Sequence, residues 1–224
     1  MKLVYSDYGI SMDFIEGKVN ILCIEQPKAF AQMVGDFWNQ INGEAGGWIL
    51  SDNEKILQIS KYVIGIYNPF SLDCNEKKVL TKIYSELDEN TKLFFPTETA
   101  ELNSRIVTLL DALVESVPYH LEMKTGLDMT AMFKLFDIRI ESTQLCLVEH
   151  IIDYLRVMHD ILHIDVFVFV NIKQYLLDDE LDALYEFSIY EKIFLFLIEG
   201  RFIKSDKYCE KCWILDKDSC MIEI

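Results

Sequence analysis

Three short apolar runs constrain this chain most: VNILCIE at residues 19–25, DVFVFVN at 165–171 and KIFLFLIE at 192–199. Each is one strand long, rich in β-branched or aromatic residues, and closed at its C-terminal end by a polar residue. Strands covered on both faces read this way, because a parallel sheet carries helices on each side. The expected class is therefore α/β. The first run leads through EQPKAF directly into an amphipathic helix, the position at which nucleotide-binding folds keep their phosphate loop.

That loop lacks its chemistry. A phosphate loop, G-x-x-x-x-G-K-[ST], uses glycines so that backbone N–H groups can surround phosphate, a lysine for charge and a hydroxyl for magnesium. Here Glu25, Gln26, Pro27, Lys28, Ala29 and Phe30 fill the position. Pro27 removes a donor, Glu25 repels phosphate, and no glycine permits close approach. The dinucleotide fingerprint G-x-G-x-x-G is absent too, so no nucleotide cofactor is expected.

The pattern along the chain has three parts. In the first, strand signals fall at 2–5, 11–15 and 19–25, a helix at 27–41, and short strands at 48–50, 56–59 and 62–66. Helices dominate from 75 to about 163: one capped by Asn75, one opened by Pro96, and a long one at 145–162. A break lies between the last two, comprising Pro118, a strand-like HLEM, a small helix at 129–136 and IRIE. From 165 the βαβ pattern resumes with a helix at 178–188, and the tail holds short strands at 212–215 and 220–224. An α/β head domain is expected over 1–73 and 164–224, with a helical leg domain inserted at 74–163.

A chain of 224 residues that is 51% hydrophobic can bury a substantial core. Its N-terminus lacks the features of a secretory signal and it has no apolar run of about 18 residues, so a cytoplasmic protein without a membrane span is expected. The net charge is −16. That total opposes a general affinity for nucleic acid, which needs clustered lysine and arginine, but it leaves open a basic surface confined to one face.

Other motifs have plain readings. Cys209, Cys212 and Cys220 offer three thiolates for zinc, yet a structural site takes a fourth ligand and no histidine lies downstream. His159 and His163 share a helix face, but the glutamate of a metalloprotease motif is missing. The acidic run Asp178, Asp179, Glu180 and Asp182 suits a helix start, where negative charge complements the dipole. No nucleophile elbow is present, and no catalytic residue is assigned. Basic residues form three local groups: Lys77, Lys78 and Lys82; Lys124, Lys134 and Arg139; and Arg201, Lys204, Lys207 and Lys211.

Three stretches together resemble one family. They are VNILCIEQPKAFAQMVGDFWNQI, the broken arm HLEMKTGLDMTAMFKLFDIRIE, and DVFVFVNIKQYLLDDELDALYEFSIYEKIFLFLIEGRF. This looks like the Csn-two family of CRISPR-associated proteins of subtype II-A loci, in its shorter form, over nearly the whole chain. The resemblance implies a P-loop-like head with a parallel-sheet core and no phosphate-binding loop, plus a helical leg. It also implies a homotetrameric ring that holds ends of double-stranded DNA in its channel, without catalysis, during acquisition of new spacers. Partners would be the CRISPR integrase complex and the RNA-guided nuclease of the same locus. Calcium is implied as a stabilising ion, with Glu122 and Asp128 as the retained carboxylates; Lys124 and Thr125 stand where further acids are expected. The channel-lining basics would fall on Lys134 and Arg139, with Lys124 as a neighbour; Lys77 and Lys78, from the first local basic group, are further candidate DNA contacts. Two other readings stay open: a divergent nucleotide-dependent phosphoryl-transfer enzyme, and a purely protein-binding module.

Overall fold

The first apolar run forms strand β3 (Val19–Ile24), and all six of its residues are buried. A strand with no polar side must lie between two covering layers, so it marks the centre of the fold. The computed structural model describes residues 1–53, 55–141, 146–203 and 207–223. The chain divides into two compact units, Met1–Cys74 with Thr143–Ile224, and Asn75–Ser142.

In the first unit β3 lies in a six-stranded sheet of order β10-β9-β3-β8-β7-β6. The other strands are β6 (Val63–Ile66), β7 (Val166–Val170), β8 (Phe194–Glu199), β9 (Glu210–Leu215) and β10 (Met221–Glu223). All pairings are parallel except that of β10 with β9. The three apolar runs are thus neighbours in one sheet. Cys23 stands opposite Glu199 on one side and Ile214 on the other.

Because side chains alternate along a strand, this register sorts the two faces. Leu22, Ile24, Phe196, Ile198, Trp213 and Leu215 share a core with Ala29, Met33 and Phe37 of helix α1 (Pro27–Ile41). Ile21, Cys23, Leu197, Glu199, Glu210 and Cys212 belong to the opposite face. Helix α7 (Asp178–Tyr190) covers that face, and its Tyr185 hydroxyl reaches Glu210.

A second sheet, wholly antiparallel, has the order β2-β1-β4-β5. Its strands are β1 (Lys2–Tyr5), β2 (Ile10–Asp13), β4 (Trp48–Asp52) and β5 (Lys55–Leu57). Tyr5, Ile10, Met12, Trp48 and Leu50 add to the α1 core. Gly47 is required where the chain enters β4: a Cβ there would lie 2.7 Å from the Tyr5 ring.

Several elements differ from the sequence expectation. Strands predicted at 56–59 and 62–66 are separated by a single helical turn, α2 (Ile59–Tyr62), which buries Ile59 and carries the chain from the small sheet to the large one. The long helix predicted from 145 begins, as α6 (Leu147–Leu162), two residues later, and residue 145 lies outside the described residues. It was expected in the leg, but its buried Val148, Ile151, Tyr154, Leu155 and Met158 place it in the first unit. Residue 224 of the predicted tail strand also lies outside the described residues.

The second unit contains α3 (Lys77–Phe94), α4 (Pro96–Glu115) and α5 (Met129–Leu135). Tyr84 on α3 joins them: its ring lies 6.1 Å from that of Phe133 on α5, and its hydroxyl donates to the Ile138 carbonyl at 2.9 Å. The strand-like HLEM is not a strand. Asn75 does not cap α3 as predicted, because Glu76 holds that position. Helix α4 buries none of its residues.

Candidate nucleic-acid interface

All five basic residues singled out for DNA, Lys77, Lys78, Lys124, Lys134 and Arg139, fall in the second unit. That unit carries twelve acidic and eight basic residues, against twenty-five and thirteen for the rest of the chain. Most of the −16 therefore belongs to the first unit, which removes much of the objection that net charge raises.

Lys77 and Lys78 are the first two residues of α3, and no acidic residue occurs in its first turn. Cations at an N-terminus oppose the macrodipole, and the acidic N-cap residue Glu76, paired with Lys78, offsets part of that. Arg139 is held next to this helix start. The Asn75 amide donates to the Ile140 carbonyl at 3.1 Å, and the Ile140 N–H donates to Asn75 Oδ1 at 2.8 Å. With Ile138 fixed by Tyr84 on α3 and Ile140 by Asn75 just ahead of it, both backbone neighbours of Arg139 are held.

The charges themselves are only lightly engaged. Lys78 pairs with Glu76 at 3.1 Å and Arg139 with Asp137 at 3.3 Å, both in exposed pairs. Such pairs contribute about 0–1 kcal/mol and yield easily to phosphate. Among the described residues, Lys77, Lys124 and Lys134 form no ion pair. The structure thus brings the backbone at Arg139 to the segment that leads into α3, where Lys77 and Lys78 lie. Lys134 sits in the last turn of α5, where positive charge also suits the dipole. Lys124 lies elsewhere, along a groove of about 260 Å³ bordered by Ile106 and Leu110 of α4 and Met132 and Leu135 of α5.

The calcium expectation meets a poor donor set. Asp128 Oδ1 accepts the Ala131 N–H at 3.0 Å and caps α5. Calcium takes about 6–8 oxygens. Among the described residues no group of three or more acidic, histidine or cysteine side chains is placed to hold a metal. Glu122 and Asp128 do not fit the ion by themselves.

The remaining motifs are absorbed by the fold. Cys209, Cys212 and Cys220 are free thiols with no metal cluster among the described residues. His159 Nδ1 lies 3.2 Å from both the Ile164 carbonyl and Asp165, and His163 ends α6 in a left-handed conformation. Glu180 accepts the Leu177 N–H and starts α7. In the third basic group, Lys207 pairs with Asp182, and Lys211 pairs with Glu223 at 3.1 Å; Lys204 lies outside the described residues. The β3–α1 turn is Glu25 and Gln26 with Pro27 opening the helix, so no glycine stands in the turn itself.

Sequence reasoning missed the positioning role of Asn75. Asparagine just ahead of a helix is a cap signal, and only the fold reveals that its amide matches the Ile140 backbone 65 residues away.

An α/β sheet protein without a phosphate loop, joined in one chain to a helical unit with a basic helix start, is the class these features define. The chain belongs to the family of CRISPR-associated proteins (Cas_Csn2), whose model matches residues 40–219. Its role is accordingly CRISPR-associated. No helix among the described residues is long and apolar enough to cross a membrane.

Proposed function

We propose that this protein is a non-catalytic binder of double-stranded DNA ends, acting without sequence preference in spacer acquisition as a homotetrameric ring. The observation that carries the reading is the lysine pair opening α3 against the helix dipole, with Arg139 clasped beside it. Cations at a helix start, engaged only by exposed partners such as Glu76 and Asp137, suit a polyanion that exchanges those partners for its phosphates. Family membership supplies the CRISPR context, and the integrase complex and RNA-guided nuclease of the same locus are the proposed partners.

Self-association has its own support. The α4 stripe exposes Leu109 at 61% and Leu113 at 54%, within a helix that buries nothing. An apolar face of that length fits a second copy of the chain better than water.

The test is a gel shift on linear and closed-circular duplexes of equal sequence. Retention of linear DNA, lost in a variant lacking Lys77, Lys78 and Arg139, is expected. Equal retention of circular DNA, or steady ATP turnover, would overturn the reading.

A further inference from the structure

Beneath α7, a buried polar cluster sits at one side of the large sheet. Lys173 follows β7 in a short 3-10 turn (Ile172–Gln174), and its ammonium lies 2.8 Å from Glu210 Oε1. The two side chains are 6% and 3% exposed. The Tyr185 hydroxyl donates to the same oxygen at 2.9 Å, while Glu210 Oε2 has no hydrogen-bond partner. Glu199, the last residue of β8 and 2% exposed, accepts the Lys173 backbone N–H at 3.1 Å.

Two carboxylates therefore share one ammonium, and that ammonium is engaged by Glu210. The groups facing Glu199 are the Ile172 and Lys173 amides and the Lys173 ammonium after β7, Cys23 on β3, Glu210 and Cys212 on β9, Tyr185 on α7, and Arg201 just beyond β8. Burial pushes the Glu199 carboxyl up to about 7; the Lys173 amide and charge oppose this, and Glu210 adds to it. Beside it is a cavity of about 10 Å³ lined by Ile21, Cys23, Lys173, Glu199, Arg201 and Phe202. That is room for about one water. Among the described residues that line this cavity, Arg201, Phe202 and Ile203 are the ones outside the strands and the 3-10 turn, so they form its movable wall.

We propose that this cluster is a proton-operated latch on the ends of β7 and β8: protonated Glu199 keeps residues 200–203 closed over the cavity, and ionised Glu199 opens them to water and Arg201. The sign follows from linkage. Glu199 has an ordinary value of about 4.3 in an unfolded or open state and about 7 when closed. The closed state binds the proton more tightly, so its advantage is full below about 4.3, falls as pH rises, and is lost above about 7. Carboxylates held by salt bridges behave in the opposite way.

The test is amide hydrogen exchange on the whole protein from pH 5 to 8.5, corrected for intrinsic rates. The reporters are the Lys173 amide, bonded to Glu199, and the Gly200 amide, bonded to Asn171 Oδ1. Opening at both should rise by up to about tenfold per pH unit between about 5 and 7 and then level off. Amides of β3 serve as the internal reference. In Glu199→Gln this slope should vanish. A carboxyl carbon titration of the wild-type protein reads Glu199 directly, whether or not that variant folds, and should show a midpoint near neutrality. A midpoint in the ordinary carboxylate range, pH-independent opening in the wild type, or an unchanged slope in Glu199→Gln would overturn the latch.

Discussion

Asn75 and Ile140 exchange two hydrogen bonds, the asparagine amide giving one to the isoleucine carbonyl and taking one from its N–H. A side chain is thereby acting as a strand edge for a segment that has no strand partner. Because the contact is partly buried, Asn75→Ala leaves both Ile140 groups short of partners. The expected loss is about 1–3 kcal/mol in the stability of the helical unit. Hydrogen exchange of the Ile140 amide should accelerate together with that of α5. A loss confined to Ile140, with α5 unchanged, would show that the clasp does not organise the unit.

Charge removal at the helix start should be read through salt dependence. Replacing Lys77, Lys78 and Arg139 by glutamine should weaken all duplex sequences alike and lower the slope of log K against log salt by about 0.9 per lost phosphate contact. Replacing Lys124 alone should do less, since it lies along the α4–α5 groove. Fluorescence anisotropy with two unrelated duplexes at several salt concentrations measures this. Sequence-dependent losses would count against a phosphate-reading surface.

The exposed α4 face predicts a separation of assembly from folding. Leu109→Glu with Leu113→Glu should shift the protein toward smaller species in sedimentation velocity. Its melting should move by no more than surface changes usually cause, about 0.5 kcal/mol each. An unchanged sedimentation profile would assign self-association to another surface.

In the first unit, the Lys173–Glu210 pair is buried on both sides. Lys173→Met removes one partner and should destabilise by about 3–5 kcal/mol, mostly through the stranded Glu210. The double variant Lys173→Met with Glu210→Gln should recover a large part of that loss in urea denaturation. If the double variant is as unstable as the single one, packing of the lysine stem rather than charge dominates.

Much of the first unit was legible because each apolar run had no polar face to expose. Residues 19–25, 165–171 and 192–199 could only be central strands, and β3, β7 and β8 are adjacent in the sheet. The α1 bounds follow from Pro27 and the spacing of Met33 and Phe37. Short elements were less legible. Ile59 begins a helical turn rather than ending a strand, because its side chain is drawn into the core while the chain changes sheets. At the candidate interface, residue types exposed the basic groups, but not which segments are brought together. That depended on Asn75 contacting Ile140 and Tyr84 contacting Ile138, pairings over 65 and 54 residues that no local pattern encodes. The cluster around Glu199 was hidden for a related reason: a glutamate closing an apolar run reads as a strand end, and its partners come from β7, β9 and α7.

The position of β3 has a consequence for how the molecule comes into being. Both of its neighbours in the sheet, β8 and β9, lie in the last part of the chain, with Asn20 paired to Phe196 and Lys211. During synthesis this strand, apolar but for Asn20, waits without its sheet neighbours while the residues of the second unit are made, and contacts of such long range form slowly. A nascent chain stalled before β8 would present an unpaired, uncharged strand edge to its surroundings. The step most exposed to misassembly is therefore the late capture of β3 by the carboxyl-terminal strands.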